Sequence, residues 1–194
     1  MSAYLLDSNL FRYMHNDDNA AYQKAAKEFF TTARKEVLDG QSIILLSAEV
    51  KCELEVQMHT LKDRSKRIIC DMLEGYLPVS ANLSVDLEHE LRKFSNYIRS
   101  NKFNSIFKNP HYKIDYLRAS DARILVDAYL NDAILVTANI KDFITYSVFC
   151  ETGEQKLYDF LNKRYVEISS AARTAIEVDP FYLSIQSKLE ALQP

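Results

Sequence analysis

Short apolar runs that end in polar clusters alternate along this chain with longer stretches whose apolar residues recur every three or four positions. The first pattern predicts strands and the second predicts helices. Ala3 to Leu6 is a strand whose end opens into the polar turn Asp7-Ser8-Asn9. Asn16-Asp17-Asp18 can cap a helix to about Asp39, with Tyr22, Ala26, Phe29, Ala33 and Val37 on its buried face. Gly40 stops it. Ser42 to Leu46 is the second strand, and a long helical stretch from Ala48 to about Gly75 follows, ended by Pro78. Val50, Leu54, Met58 and Leu61 form its apolar stripe.

Residues 83–101 read as helical and 102–118 as irregular. Ser120 caps a helix from Asp121 to about Asn131, and Ala133 to Val136 is a third strand. The pattern predicts two helical pieces over 140–162, broken near Glu151-Thr152-Gly153. Arg164 to Ile168 reads as a fourth strand, and Asp179-Pro180 starts a last helix. Strands separated by long helices imply parallel pairing with right-handed crossovers. The expected class is α/β, a three-layer sandwich with a central parallel sheet flanked by helices. In such folds the site lies beyond the carboxyl ends of the strands.

Composition narrows the function. The chain has 194 residues, 47% of them hydrophobic, enough for a sizeable core in one domain. Its net charge of −3 is not that of a passive nucleic-acid coat, so nucleic-acid contact would have to be local or bridged by metal. Only three glycines occur (Gly40, Gly75, Gly153), which excludes the Gly-rich phosphate loops. Cys52, Cys70 and Cys150 form no CxxC pair and read as reduced, mostly buried thiols in a cytoplasm. The first residues do not read as a signal peptide, and no apolar run approaches the roughly 20 residues that span a bilayer, so no membrane contact is expected.

Four acids fall at or near strand ends or helix starts: Asp7, Glu53, Asp121 and Asp142. Together they could not all stay charged without a cation, and an all-oxygen set suits Mg²⁺ or Mn²⁺ and phosphate chemistry. Asp121 shares a helix stripe with Ile124, Leu125 and Ala128, where an unpaired carboxylate is costly. A helix dipole explains Glu49, but not Glu53 one turn further on. Asp127 points away from that stripe, and a surface ion pair with Arg123 accounts for it. Asn9, Ser47, Glu49, Thr137 and Asn139 are supporting candidates that could orient the carboxylates or hold a phosphate. Between Arg92 and Arg118 seven basic residues (Arg92, Lys93, Arg99, Lys102, Lys108, Lys113, Arg118) interleave with Phe94, Tyr97, Phe103, Phe107, Tyr112 and Tyr116. They suggest a nucleic-acid arm, with a solvated face over core aromatics as the alternative.

Taken together, Leu5-Leu6-Asp7-Ser8-Asn9, Ser47 to Glu53-Leu54, Asp121 to Ala128, and Thr137-Ala138-Asn139 to Asp142-Phe143 resemble the PIN domain family in its VapC-like ribonuclease toxin branch. Order and spacing match over residues 4–143, although the stretch between Glu53 and Asp121 and the region after Phe143 are long for such toxins. The resemblance implies a nuclease domain over 1–170, extended by helix over 171–194. It implies a metal-dependent endoribonuclease holding one or two Mg²⁺ or Mn²⁺ ions, with Asp7, Glu53, Asp121 and Asp142 as ligands and catalytic residues. The implied partners are an RNA substrate, an antitoxin protein and a second copy of the chain. An inactive binding module on the same fold and a structure-specific DNA nuclease stand as alternatives. A haloacid-dehalogenase-type phosphatase is disfavoured, because Asp7-Ser8-Asn9 lacks the second Asp of its motif.

Overall fold

Residues 1–15, 19–100, 103 and 114–193 are described in this computed structural model. The apolar runs pair into one six-stranded sheet, β1 Ser2–Leu6, β2 Ser42–Ser47, β3 Leu77–Val79, β4 Ile134–Thr137, β5 Leu157–Asp159 and β6 Arg164–Tyr165. Their order is β3-β2-β1-β4-β5-β6. All neighbours run parallel except β5 and β6. Leu5, Leu6, Leu135 and Val136 are fully buried, as central strands of a parallel sheet must be.

The helices are α1 Ser8–Met14, α2 Ala20–Leu38, α3 Ala48–Met58, α4 Asp63–Glu74, α5 Val85–Ile98, α6 Ala119–Leu130, α7 Ile140–Phe149, α8 Ser170–Glu177 and α9 Pro180–Glu190. The α1 helix packs on α2, and α5 packs on α6, which packs on α7. The result is α/β, a mostly parallel sheet flanked by helices and compatible with three layers. The C-terminal helices join the core. Tyr182, Ile185 and Leu189 of α9 are buried, and the Phe149 and Tyr182 rings stack at 5.8 Å. Arg173 of α8 is buried and donates to the carbonyls of Ser147 (3.0 Å) and Cys150 (2.6 Å), closing the end of α7.

Several expected elements differ. The polar turn after β1 is instead the start of α1, too short a helix to show periodicity. The single helix over 48–75 is two helices. It breaks where the Thr60 and Leu61 amides turn back to the carbonyls of Gln57 and Met58. Pro78 lies within β3, where its missing N–H is tolerated because β3 is an edge strand. Part of the helix expected over 140–162 is β5, a strand of three residues and too short to show a period. Asp159 ends it by accepting from the amides of Leu161 and Asn162. The fourth expected strand shrinks to Arg164–Tyr165 and runs antiparallel. Helix α6 begins at Ala119, with Arg118 rather than Ser120 at its cap. The proposed cap Asn16-Asp17-Asp18 lies outside the described residues, and Asn19 caps α2 by accepting from the Tyr22 amide.

The cysteines are free, but only Cys150 is buried. Cys52 and Cys70 sit on exposed faces of α3 and α4. Among the described residues no helix is long and apolar enough to cross a membrane.

Candidate functional site

Strand order reverses at β1, with β2 on one side and β4 on the other, so a crevice opens beyond the ends of β1 and β4. An open cleft of about 430 Å³ lies there. Asp7, Ser8, Asn9 and Arg12 line it from the β1–α1 corner, Glu49 and Glu53 from α3, Arg118 and Asp121 from the start of α6, and Asn139 from the start of α7.

Asp7 follows directly from strand geometry. Its amide bonds to the Val136 carbonyl at 3.0 Å, which keeps it in register with β4, and its side chain is buried. Thr137 donates its hydroxyl to the Asp7 carboxylate at 2.6 Å, and Asn9 donates its amide to the same oxygen. Thr137 Oγ1 in turn accepts from Asn9 (3.1 Å) and from the Asn139 amide (2.8 Å), which fixes that hydroxyl. Ser8 donates to Glu53 at 2.6 Å and thereby links α1 to α3. Asp121 stands in the first turn of α6 and accepts from the Arg118 amide at 3.3 Å.

The electrostatics show that these carboxylates share a space. Burial pushes the Asp7 pKa up to about 7, and the charges of Asp121 and Glu53 push in the same direction. Burial likewise raises Asp121 to about 6, aided by Asp142 and Glu53. Asp142 is raised chiefly by burial, while a hydrogen bond from Asn139 opposes the shift. It sits behind Asn139 and does not line the cleft.

Asp127 departs from its expected role. It is buried, not on the surface, and accepts from the Ser47 hydroxyl at 2.5 Å and from the Ala81 amide. Arg123 pairs with Glu49 (3.0 Å) and Glu88 (2.8 Å) instead. Helix angle alone does not set exposure here: α6 is covered on several sides, so even a residue off its main stripe is buried. Ser47 accordingly faces Asp127 and not the cleft.

In the basic stretch, Arg92 lies over the Tyr116 ring at 5.3 Å and pairs with Glu88 at 3.5 Å. Lys93 pairs with Glu90 at 2.7 Å, and Arg99 donates to Asn96 at 3.4 Å. Phe94 and Phe103 are buried in the core. Lys102, Lys108 and Lys113, with Phe107 and Tyr112, lie outside the described residues. Of the described basic residues of this stretch, Arg118 alone lines the cleft. The sequence does not single out Arg12 and Ser8, because α1, the helix that carries them to the cleft, is too short to show a helical period.

No family model matches the chain. No curated protein matches it either. Solved structures do. FitAB bound to the IR36 DNA fragment has 13% identity and a TM-score of 0.50, covering 84% of this chain and 98% of that one. FitAcB from Neisseria gonorrhoeae has 16% identity and a TM-score of 0.45, over 74% of this chain and 92% of that one. VapBC2 from Rickettsia felis, bound to a DNA fragment from its promoter, has 19% identity and a TM-score of 0.43, over 73% and 91%. The likeness to FitAB shows a shared fold.

The resemblance to the PIN family and its VapC-like toxins is thereby corrected. No family model matches the chain, and the likeness to FitAB, at 13% identity, shows the fold alone. The motifs misled for a physical reason. A sheet of this kind places turn and capping acids at strand ends whatever its family.

Donor chemistry fits a hard divalent cation, because the converging groups are carboxylates whose pKa values burial, and then their mutual repulsion, already raise at Asp7 and Asp121. The geometry is looser than a formed centre. Among the described residues no three Asp, Glu, His or Cys side chains stand close enough to hold one ion. The carboxylates feel each other across the cleft, with Asp7 and Glu53 held back by hydrogen bonds to their neighbours.

Proposed function

We propose that the cleft is the active centre of a metal-dependent nuclease that hydrolyses RNA phosphodiesters. The observation that carries it is the buried Asp7, raised to about 7 and flanked by Asp121 and Glu53 in an open cleft. Asp7, Glu53 and Asp121 would hold Mg²⁺ or Mn²⁺, one ion or two, with Asp142 held by Asn139 as an outer carboxylate. A bound ion of this kind supplies an acidified water and offsets charge growing on the scissile phosphate. Thr137 and Asn9 hold Asp7 in one orientation, as partners of a metal ligand do. Ser8 does the same for Glu53. Arg12 and Arg118 offer the cleft two exposed cations that draw a phosphate backbone toward the acids. Addition of water across the bond leaves a 5′-phosphate and a 3′-hydroxyl.

The fold likeness to FitAB, solved bound to the IR36 DNA fragment, supports a place in a toxin–antitoxin pair, with this chain as the cleaving member and an antitoxin as its partner. A second reading, a binding module without turnover, is favoured by the absence of a closed ligand cluster among the described residues. The test is cleavage of single-stranded RNA and DNA in Mg²⁺, Mn²⁺ and EDTA. We expect RNA cleavage in either metal and none in EDTA. Binding without cleavage supports the module, and cleavage in EDTA overturns both readings.

A further inference from the structure

A second pocket, of about 450 Å³, shares no lining residue with the carboxylate cleft. Three tyrosines from three strands, Tyr4 of β1, Tyr158 of β5 and Tyr165 of β6, meet Phe29 of α2 there. Their rings form a continuous wall. Tyr4 meets Phe29 edge-on at 5.6 Å, Phe29 meets Tyr158 at 6.0 Å, and Tyr158 meets Tyr165 edge-on at 5.0 Å. Two carboxylates of α2 stand over this wall. Glu28 is neutralised by Lys163 at 2.6 Å. Glu36 accepts from the Tyr4 hydroxyl at 2.9 Å and has no cationic partner among the described residues. The pocket therefore carries one uncompensated negative charge beside this aromatic wall. The phenols feel Glu36 as well. Burial raises Tyr4 and Tyr165, and the Glu36 charge raises both further.

We infer that this pocket receives an arginine side chain of a partner protein. Aromatic faces attract cations through the ring quadrupole. A guanidinium suits them better than an ammonium, because it is planar, more weakly hydrated and able to fork onto a carboxylate. The uncompensated Glu36 carboxylate repels phosphate, which disfavours nucleic acid. The volume exceeds that of a lone guanidinium and admits the side chain with the backbone that carries it. Glu36 supplies the charge, Tyr158 and Tyr165 the stacking surface, and the Glu28–Lys163 pair closes one side.

The test uses the peptide acetyl-Gly-Ser-Arg-Ser-Gly-amide and its citrulline counterpart, which has the same shape without the charge. Binding to the full chain is followed through the ring signals of labelled tyrosine. The arginine peptide is expected to saturate and to shift Tyr4, Tyr158 and Tyr165 together, with citrulline at least about tenfold weaker. Glu36→Gln should weaken binding about tenfold or more while keeping the fold and the RNA cleavage of the wild type. Because an arginine could instead enter the carboxylate cleft, Asp7→Asn is the control, and it should leave peptide affinity unchanged. Affinity unaltered by Glu36→Gln, lost in Asp7→Asn, or not saturable in the wild type overturns the assignment.

Discussion

Asp7→Asn should abolish RNA cleavage, by about a thousandfold or more, and at the same time stabilise the metal-free chain above neutral pH. Both effects come from one buried carboxylate. Its pKa rises from 3.8 to about 7 on folding, mainly through burial. A raised carboxyl contributes stability that is fully present below its unfolded pKa and is lost as pH rises through the folded one. In a chelator, the wild type is therefore expected to lose stability between about pH 4 and about pH 7. The loss is on the order of 4 kcal/mol for this group. Asparagine has the same shape, can still accept from Thr137, and carries no charge to bury. Its melting temperature in EDTA at pH 8 should exceed that of the wild type, and the gap should close toward pH 4. Cleavage within tenfold of the wild type would refute the role of Asp7 in the proposed nuclease. A melting curve independent of pH in this window would refute the electrostatic argument.

Asp127→Ala should be the most destabilising single change near the site, at about 3 kcal/mol. Asp127 joins α6 to the end of β2 through the Ser47 hydroxyl and to the segment after β3 through the Ala81 amide. Alanine would leave the buried Ser47 hydroxyl and the half-buried Ala81 amide without their acceptor, which costs more than the bonds themselves contribute. For a chain of this length that corresponds to a fall of roughly 6–12 °C in melting temperature. Ser47 also caps α3, the helix that carries Glu53, so cleavage should fall with stability. Asp127→Asn keeps an acceptor for one of the two donors and should cost less. Urea unfolding of the two variants checks the order, and an alanine variant as stable as the wild type would show that the pair holds nothing together.

The parts legible in the sequence were those that a local pattern determines. Leu5-Leu6 and Ile43 to Leu46 are apolar because parallel strands are covered on both faces, and they were placed within a residue of their observed ends. Asp7, Glu53 and Asp121 were picked out because a carboxylate next to a core run needs a reason to be there. The structure brings these three to one cleft. What was not legible depended on tertiary cover. Asp127 looked solvated until α6 was seen to be enclosed. The Arg92 to Arg118 stretch looked like one basic arm, yet Phe94 and Phe103 belong to the core, and Arg92 and Lys93 pair with acids of their own helix. The tyrosine pocket was invisible for the same reason. Tyr4 is far in sequence from Tyr158 and Tyr165, and they meet only because β1, β5 and β6 share a sheet.

The central claim is that Asp7, Glu53 and Asp121 form a site for a divalent cation. Calorimetric titration with Mn²⁺ at pH 6.5, repeated in buffers of different ionisation heat, tests it most directly. A cation that displaces protons from Asp7 and Asp121, whose pKa values burial raises to about 7 and about 6, must release them to the buffer. The account predicts saturable binding with proton release in the wild type, and loss of both in Asp7→Asn. Binding of equal affinity in that variant, or no binding in the wild type at millimolar Mn²⁺, would contradict it.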